Sequence, residues 1–372
     1  MTEQEMLEKM IAPGQIRPSK PYRGGVIQIH VTRACDRACY SCTQGSQLGG
    51  KPEFMPPDLF EEAVLSLKNY FGVIGTFGGN PCMSPHFVEY CEILRRHIPR
   101  EQRGLWSNDL LKEENGRAAR ETFNPGYSNL NVHMSREAAD RFRRWWPEAG
   151  IVGLDKDSRH SPCYVAMRDV LRRQCTGCGG RGFLKLSDLI KADSSDESEF
   201  AIEVVQDDMG ECPTCRGSGT VYDEERARPL IATCDINQFW SASIGMFRGQ
   251  LRGYFCEIAM AQSILHQHEP DYPDTGYHVD RLYDDGEKRW WQLPMHSFAN
   301  QVRKHCHDCG VPLRGMGQLA VGPESQSEQV SGTHVGIYKT KRRRPLEMVT
   351  TVEQLGVPLE RMTKYLQNSG VK

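Results

Sequence analysis

The sequence predicts an α/β fold, an α/β barrel or part of one, on three observations. Strand-like and helix-like segments alternate through roughly the first 150 residues, glycine-bearing loops follow the strands, and strand-like segments return after a cysteine-rich interruption.

Val26-Ile27-Gln28-Ile29-His30-Val31 alternates like a strand after the turn residues Pro21 to Gly25. Pro57 to Tyr70 has helical spacing of apolar positions with Asp58 as its cap, and Val73 to Phe77 reads as a second strand before Gly78-Gly79. A helix near 85–97, a short strand at Gly104–Trp106, a strand at Leu130–Met134 and a charged helix at 135–146 continue the alternation. From Cys175 to Tyr222 the composition turns to Gly, Cys and polar residues, with an acidic run from Asp193 to Glu199, which reads as an insertion with its own small fold. Strand-like segments return at Pro229–Ala232, Phe239–Phe247 and Leu251–Phe255, followed by a helix near 256–266. The expected division is an N-terminal extension over 1–24, a core over 25–172, a cysteine-knuckle insertion over 173–222, the end of the core with a cysteine-containing α+β extension over 223–319, and a tail over 320–372.

Hydrophobic residues make up 38% of the 372 and charged residues 25%, as in soluble globular proteins. The net charge of −2 gives no global field that would make nucleic acid or an anionic membrane an obligatory partner. No stretch approaches the ~20 apolar residues of a membrane helix, and the first ten residues are charged rather than signal-like, so a cytoplasmic protein is expected. In that setting the fourteen cysteines, most of them in close clusters, point to metal rather than disulfides.

Cys35, Cys39 and Cys42 have the spacing C-x3-C-x2-C, with Tyr40 between the second and third. Three thiolates on one loop can hold three irons of a cubane and leave the fourth open. A three-cysteine zinc site completed by a histidine such as His30, or free core cysteines, is the alternative. Downstream, Thr76-Phe77-Gly78-Gly79-Asn80-Pro81 ends the second strand, and Leu105-Trp106-Ser107-Asn108 ends the third.

Taken together, these segments resemble the radical S-adenosylmethionine superfamily over about residues 25–150. The resemblance implies a partial (β/α)6 barrel with a 4Fe-4S cluster on Cys35, Cys39 and Cys42. It implies S-adenosyl-L-methionine chelated to the open iron and cleaved to a 5′-deoxyadenosyl radical, with flavodoxin or ferredoxin as electron donor. Gly78, Gly79 and Asn80 would hold the methionine end, and Ser107 and Asn108 would lie near the ribose. The family usually has Glu where this chain has Asn80, whose amide oxygen can accept a hydrogen bond but carries no charge. Read without the family, Gly-Gly-Asn-Pro is an ordinary turn and Ser107-Asn108 a helix cap.

Cys175-Thr176-Gly177-Cys178 and Cys212-Pro213-Thr214-Cys215 each open a C-x2-C-x-G-x-G knuckle, and four thiolates in two knuckles suit one tetrahedral Zn2+. They resemble half of the zinc domain of DnaJ-type chaperones. A structural zinc and a docking finger for peptide or nucleic acid are both open. Cys234, Cys256, Cys306 and Cys309 surround an expected β-hairpin and resemble the shortened auxiliary-cluster regions of some superfamily members, which implies a second 4Fe-4S cluster; zinc competes, and Cys234 could be a buried thiol. Cys82, Cys91 and Cys163 read as core residues, with Cys163 the candidate for returning a hydrogen atom to a product radical.

Arg141-Phe142-Arg143-Arg144-Trp145-Trp146 could stack bases or line an amphipathic helix, and Lys341 to Arg344 could touch nucleic acid or lie in a solvated tail. The rival function is a zinc-rich binding module without redox chemistry. Within the enzyme reading a peptide, a nucleotide or nucleic acid, or a small metabolite all fit, with the zinc insertion favouring a macromolecule.

Overall fold

The computed structural model describes residues 1–15, 25–37, 42–46, 52–133, 135–152, 166–181, 183–185, 209–216, 218–239, 241–313, 329–331 and 347–349. Cys39, Cys163, the acidic run and the basic tail lie outside them.

In chain order the elements are α1 (Glu3–Lys9), β1 (Val26–Thr32), α2 (Pro57–Ser66), β2 (Val73–Gly78), α3 (Phe87–His97), β3 (Arg103–Ser107), α4 (Glu113–Thr122), β4 (Asn129–Asn131), α5 (Arg136–Trp145) and β5 (Ile151–Val152). α6 (Met167–Val170), β6 (Arg172–Gln174), β7 (Phe183–Lys185), β8 (Met209–Glu211) and β9 (Thr220–Tyr222) follow. Then come α7 (Glu224–Ala232), α8 (Asp235–Phe239), β10 (Ser241–Phe247), β11 (Gln250–Tyr254), α9 (Glu257–His266), β12 (Tyr277–His278) and α10 (Ala299–His305). One sheet runs β12-β11-β10-β1-β2-β3-β4-β5. Six of its strands, β10 and β1 to β5, pair in parallel, and β11 pairs antiparallel with both β10 and β12. The fold is therefore mixed α/β with a large parallel sheet. Its sixth parallel strand does not follow β5; Val26 to Ile29 of β1 pair with Ser241 to Ile244 of β10.

β1 is buried along its whole length, as a central parallel strand covered on both faces should be. Strand side chains alternate between faces. Ile27, Ile29, Ile74, Leu105 and Leu130 join the main core with Phe60, Tyr90, Phe123 and Phe142 of the helical layer. Val26, Val73, Phe77 and Trp106 form a second cluster on the other face. There the Trp106 ring lies over Gly75 and Gly104, where an added Cβ would come within 2.6 and 2.5 Å of it.

Several local expectations change. α2 starts behind Pro56 with no side-chain cap, so Asp58 sits in the first turn and is not the cap. Pro229–Ala232 belongs to the helix α7, which Asp223 caps, since a short apolar run cannot separate strand from helix. The strand expected over Leu130–Met134 is Asn129–Asn131, ending before the positive-φ His133. α1, with its Thr2/Glu5 capping box, and the polar α4 had no sequence counterpart. Among the described residues no helix is long and apolar enough to cross a membrane.

His30 in β1 is buried and its titration is pushed down to about 3, first by desolvation and then by Arg33. A histidine held neutral by the fold contributes stability that is present above its ordinary pKa of ~6.5 and lost as pH falls toward 3. Wild-type stability from denaturant titration is therefore expected to drop by about 2 kcal/mol from this group between pH 7 and pH 5, and His30→Gln should flatten that limb.

Candidate active site and cysteine centres

The carboxyl ends of adjacent parallel strands are where α/β sheets bind ligands, and three of the sequence motifs meet there. Cys35 and Cys42 from the loop after β1, Gly78 and Gly79 at the end of β2, and Ser107 and Asn108 at the end of β3 line one cleft with about 620 Å³ of empty space open to solvent. Phe77, Trp106, Asn129, Asn131 and His133 complete it, together with Thr43 and Gln44. None of these described lining residues is Lys, Arg, Asp or Glu.

The two glycines bring strand ends together. A Cβ on Gly78, whose φ is +152°, would stand 2.2 Å from the Thr32 carbonyl oxygen, and one on Gly79 2.4 Å from that of Ala34. Gly79 N–H donates to Thr32 O at 2.8 Å and Asn80 N–H to Ala34 O at 2.7 Å, so β2 grips the stem of the cysteine loop. Gly79→Ala is expected to lose about 1–3 kcal/mol by overpacking against this backbone, read as a lower denaturant midpoint at unchanged slope.

Asn80 is fully buried and stands behind the cleft wall. Its Oδ1 accepts from the Cys82 amide at 3.1 Å, capping the turn Pro81–Met83, and from Ser107 Oγ at 3.0 Å. Asp109, also buried, accepts from Arg141 Nε at 2.7 Å and from Arg141 Nη2, which anchors the loop after β3 to α5. Phe142 and Trp146 of the basic-aromatic segment pack in the core, so the amphipathic reading describes this helix.

The Cys35 thiol is pushed up to about 12, first by burial and then by the neighbouring Cys42. The Arg37 amide donates to its sulfur at 3.4 Å. A thiol whose ionisation burial and a neighbouring sulfur oppose gains from a bound cation, because the metal reverses that cost. His30 is not among the cleft-lining residues, so the cleft does not offer it as a fourth ligand. Cys82 and Cys91 are buried, Cys82 Sγ lying 3.7 Å from Ser107 Oγ.

The knuckles form a compact centre. Cys175, Cys178, Cys212 and Cys215 are buried with their sulfurs all within 4.8 Å of one another, Cys175 to Cys212 at 3.9 Å and Cys178 to Cys215 at 3.6 Å. Metal–sulfur bonds of ~2.3 Å in a tetrahedron place sulfurs roughly 3.8 Å apart, so the set fits one zinc-sized ion. The Cys212 thiol is pulled below its ordinary range, first by the Cys215 amide and also by that of Thr214. β6 and β9 form the stem, with Cys175 N–H donating to Gly219 O at 2.9 Å.

Cys234 and Cys256 stand before α8 and after β11, on either side of the hairpin formed by β10 and β11. The Cys306 thiol is pushed well up, first by burial, then by Cys256 and Cys234, so these sulfurs share one surrounding. Among the described residues only the knuckle set draws three or more ligand atoms within 4.8 Å, so this second set is more open. Its turn is held from the two ends of the knuckle segment: Tyr222 Oη lies 2.6 Å from His307 Nδ1, and Arg168 pairs with Asp308. Because β10 runs parallel to β1, Cys234 and Cys256 lie at the amino end of the sheet and Cys35 at the carboxyl end. Seven residues of β1 at ~3.3 Å each separate the two levels by roughly 20 Å, a separation the sequence did not reveal.

No protein-family profile matches the chain. No curated protein matches it. Among solved structures the chain is similar to that described as "Crystal structure of BtrN in complex with AdoMet and 2-DOIA", at 14% identity and a TM-score of 0.37, covering 77% of this chain and 92% of that one.

Proposed function

We propose that the chain is a radical S-adenosylmethionine enzyme whose cluster-binding cysteines are Cys35, Cys39 and Cys42. The observation that carries this reading is the meeting of Cys35, Cys42, Gly78, Gly79, Ser107 and Asn108 around one cleft at the ends of three adjacent parallel strands. The chemistry such a cluster supplies when bound is one-electron reduction of S-adenosylmethionine, giving a 5′-deoxyadenosyl radical that removes a hydrogen from substrate. The protein's own part is placement. Gly78 and Gly79 bring backbone to the cleft without side chains, Asn108 and Ser107 offer polar groups beside Cys35, and Trp106 and Phe77 form an apolar floor that excludes water.

The four knuckle cysteines hold one structural zinc. Cys234, Cys256, Cys306 and Cys309 hold a second 4Fe-4S cluster, a reading supported by the burial of Cys234, Cys256 and Cys309 with the half-buried Cys306 beside them and by an arrangement more open than a single tetrahedral ion requires. Flavodoxin or ferredoxin supplies the electron, and the substrate is a macromolecule, peptide or nucleic acid.

Anaerobic reconstitution with iron and sulfide, followed by dithionite and S-adenosylmethionine, should yield 5′-deoxyadenosine and an absorbance of thiolate-bound iron. A colourless protein carrying zinc at every cysteine set, with no 5′-deoxyadenosine, would overturn the proposal in favour of a zinc-rich binding module.

A further inference from the structure

The three strand-end motifs share a residue that none of them contains at a recognisable position. Asp36 follows the first cluster cysteine, and its Oδ1 accepts from Asn108 Nδ2 at 2.8 Å and lies 3.5 Å from Asn80 Nδ2. Its other oxygen, Oδ2, lies 3.3 Å from Arg37 Nε. One carboxylate thereby joins the cysteine loop to the ends of β2 and β3.

A carboxylate only accepts hydrogen bonds, so any primary amide against it must turn its nitrogen inward. For Asn80 that orientation is fixed independently, because its oxygen already serves the Cys82 amide and Ser107. For Asn108 the carboxylate decides. With Nδ2 on Asp36, Oδ1 accepts from the Cys35 thiol at 3.9 Å, on the side where Asn108 lines the cleft, and loses that donor when the sulfur ligates iron. Asp36 is not among the cleft-lining residues, so it acts through Asn108 and not by contact.

We infer that Asp36 is a positioning residue that fixes the polarity of Asn108, so that the cleft presents a hydrogen-bond acceptor beside the cluster cysteines to a donor group of its occupant. This rests on the reading of the cleft as the S-adenosylmethionine site. The occupant's donors are then the ammonium of the methionine portion and the ribose hydroxyls. The family's usual Glu is absent at position 80, and the arrangement here places a neutral acceptor in the cleft with the carboxylate one layer behind it.

The test is S-adenosylmethionine binding by anaerobic equilibrium dialysis on reconstituted protein, with iron and sulfide per chain measured on the same samples. Asp36→Ala should weaken binding about tenfold, the scale of one hydrogen bond to a charged group, while iron content stays at the wild-type level. Asp36→Asn, which can donate as well as accept, leaves Asn108 free to turn and should fall between. The paired exchange Asp36→Asn with Asn108→Asp moves the carboxylate to the cleft and restores an acceptor there, so it should recover affinity to within about threefold of wild type.

Wild-type affinity in Asp36→Ala would overturn the inference. So would a loss of affinity that tracks a loss of iron, because Asp36 would then serve cluster retention, or a paired exchange no better than Asp36→Ala. If wild-type protein itself loads no cluster or binds no S-adenosylmethionine, the functional reading fails and takes this inference with it, a result distinct from all the others.

Discussion

Replacement of Cys42 by alanine is expected to abolish the iron-based absorbance of reconstituted protein and to cut 5′-deoxyadenosine formation to below about a hundredth of wild type, about 2.7 kcal/mol or more on the activation barrier. Cys42 and Cys35 both line the cleft, and Cys42 is one of the groups that push the Cys35 thiol up. Three thiolates hold three irons of a cubane, so removing one leaves an iron without protein ligation. The matched control is Cys91→Ala, which deletes a sulfur buried in the helical layer and removes no lining group of the cleft. It should lower the melting temperature and leave cluster content unchanged. Equal product from Cys42→Ala and wild type would show that the loop is not the cluster site.

The second large effect is expected at the knuckles. Cys215→Ala, or chelation of the native protein, should remove one zinc per chain and open the two knuckles, residues 172–181 and 211–222, to protease. Structural zinc contributes apparent free energies of ~10–16 kcal/mol in isolated zinc-finger peptides. Among the described residues the centre's apolar cluster is the four cysteines with Val221 against them, and its ladders, β6 with β9 and β7 with β8, are three residue pairs each. The insertion should therefore open as a unit while the large sheet stays folded, so far-ultraviolet circular dichroism changes little. Retention of protease resistance after complete zinc loss would contradict this. The same samples report on the second cysteine set, because Tyr222 and Arg168 reach its turn from the base of the insertion. Zinc loss is expected to lower iron retention there and spare the Cys35 loop.

What could be read from the sequence, and what could not, divides along physical lines. The cysteine spacings, the paired glycines and the alternating apolar run of β1 are local patterns with local causes, and the structure brings Cys35, Cys42, Gly78, Gly79, Ser107 and Asn108 to one place. Asn80 was legible as a motif position but not in its use, because only the fold shows its amide engaged by Cys82 and Ser107. Asp36 carried no signal, since one acidic residue inside a loop gains meaning only when two distant asparagines fold against it. The strand expectation at Pro229–Ala232 failed where apolar residues run without a period, and the Asp223 cap that would have marked a helix was missed. Strand order was beyond local pattern altogether, because β10 reads like any other strand whichever edge it joins.

The pairing of β1 with β10 sets the order in which the molecule can be completed during synthesis. As the chain leaves the ribosome, β1 can pair with β2 early, but its other side stays open until Ser241–Phe247 has emerged, more than two hundred residues later. Throughout that interval β1 is an edge strand with unpaired backbone groups, and the loop bearing Cys35 hangs from its end. A nascent chain arrested before residue 241 would expose that edge to pairing with a second copy, so such arrested chains should aggregate where the finished protein does not. Closure of the sheet on the far side of β1 is thus a late event in the life of the polypeptide, although the residues that line the cleft are among the first made.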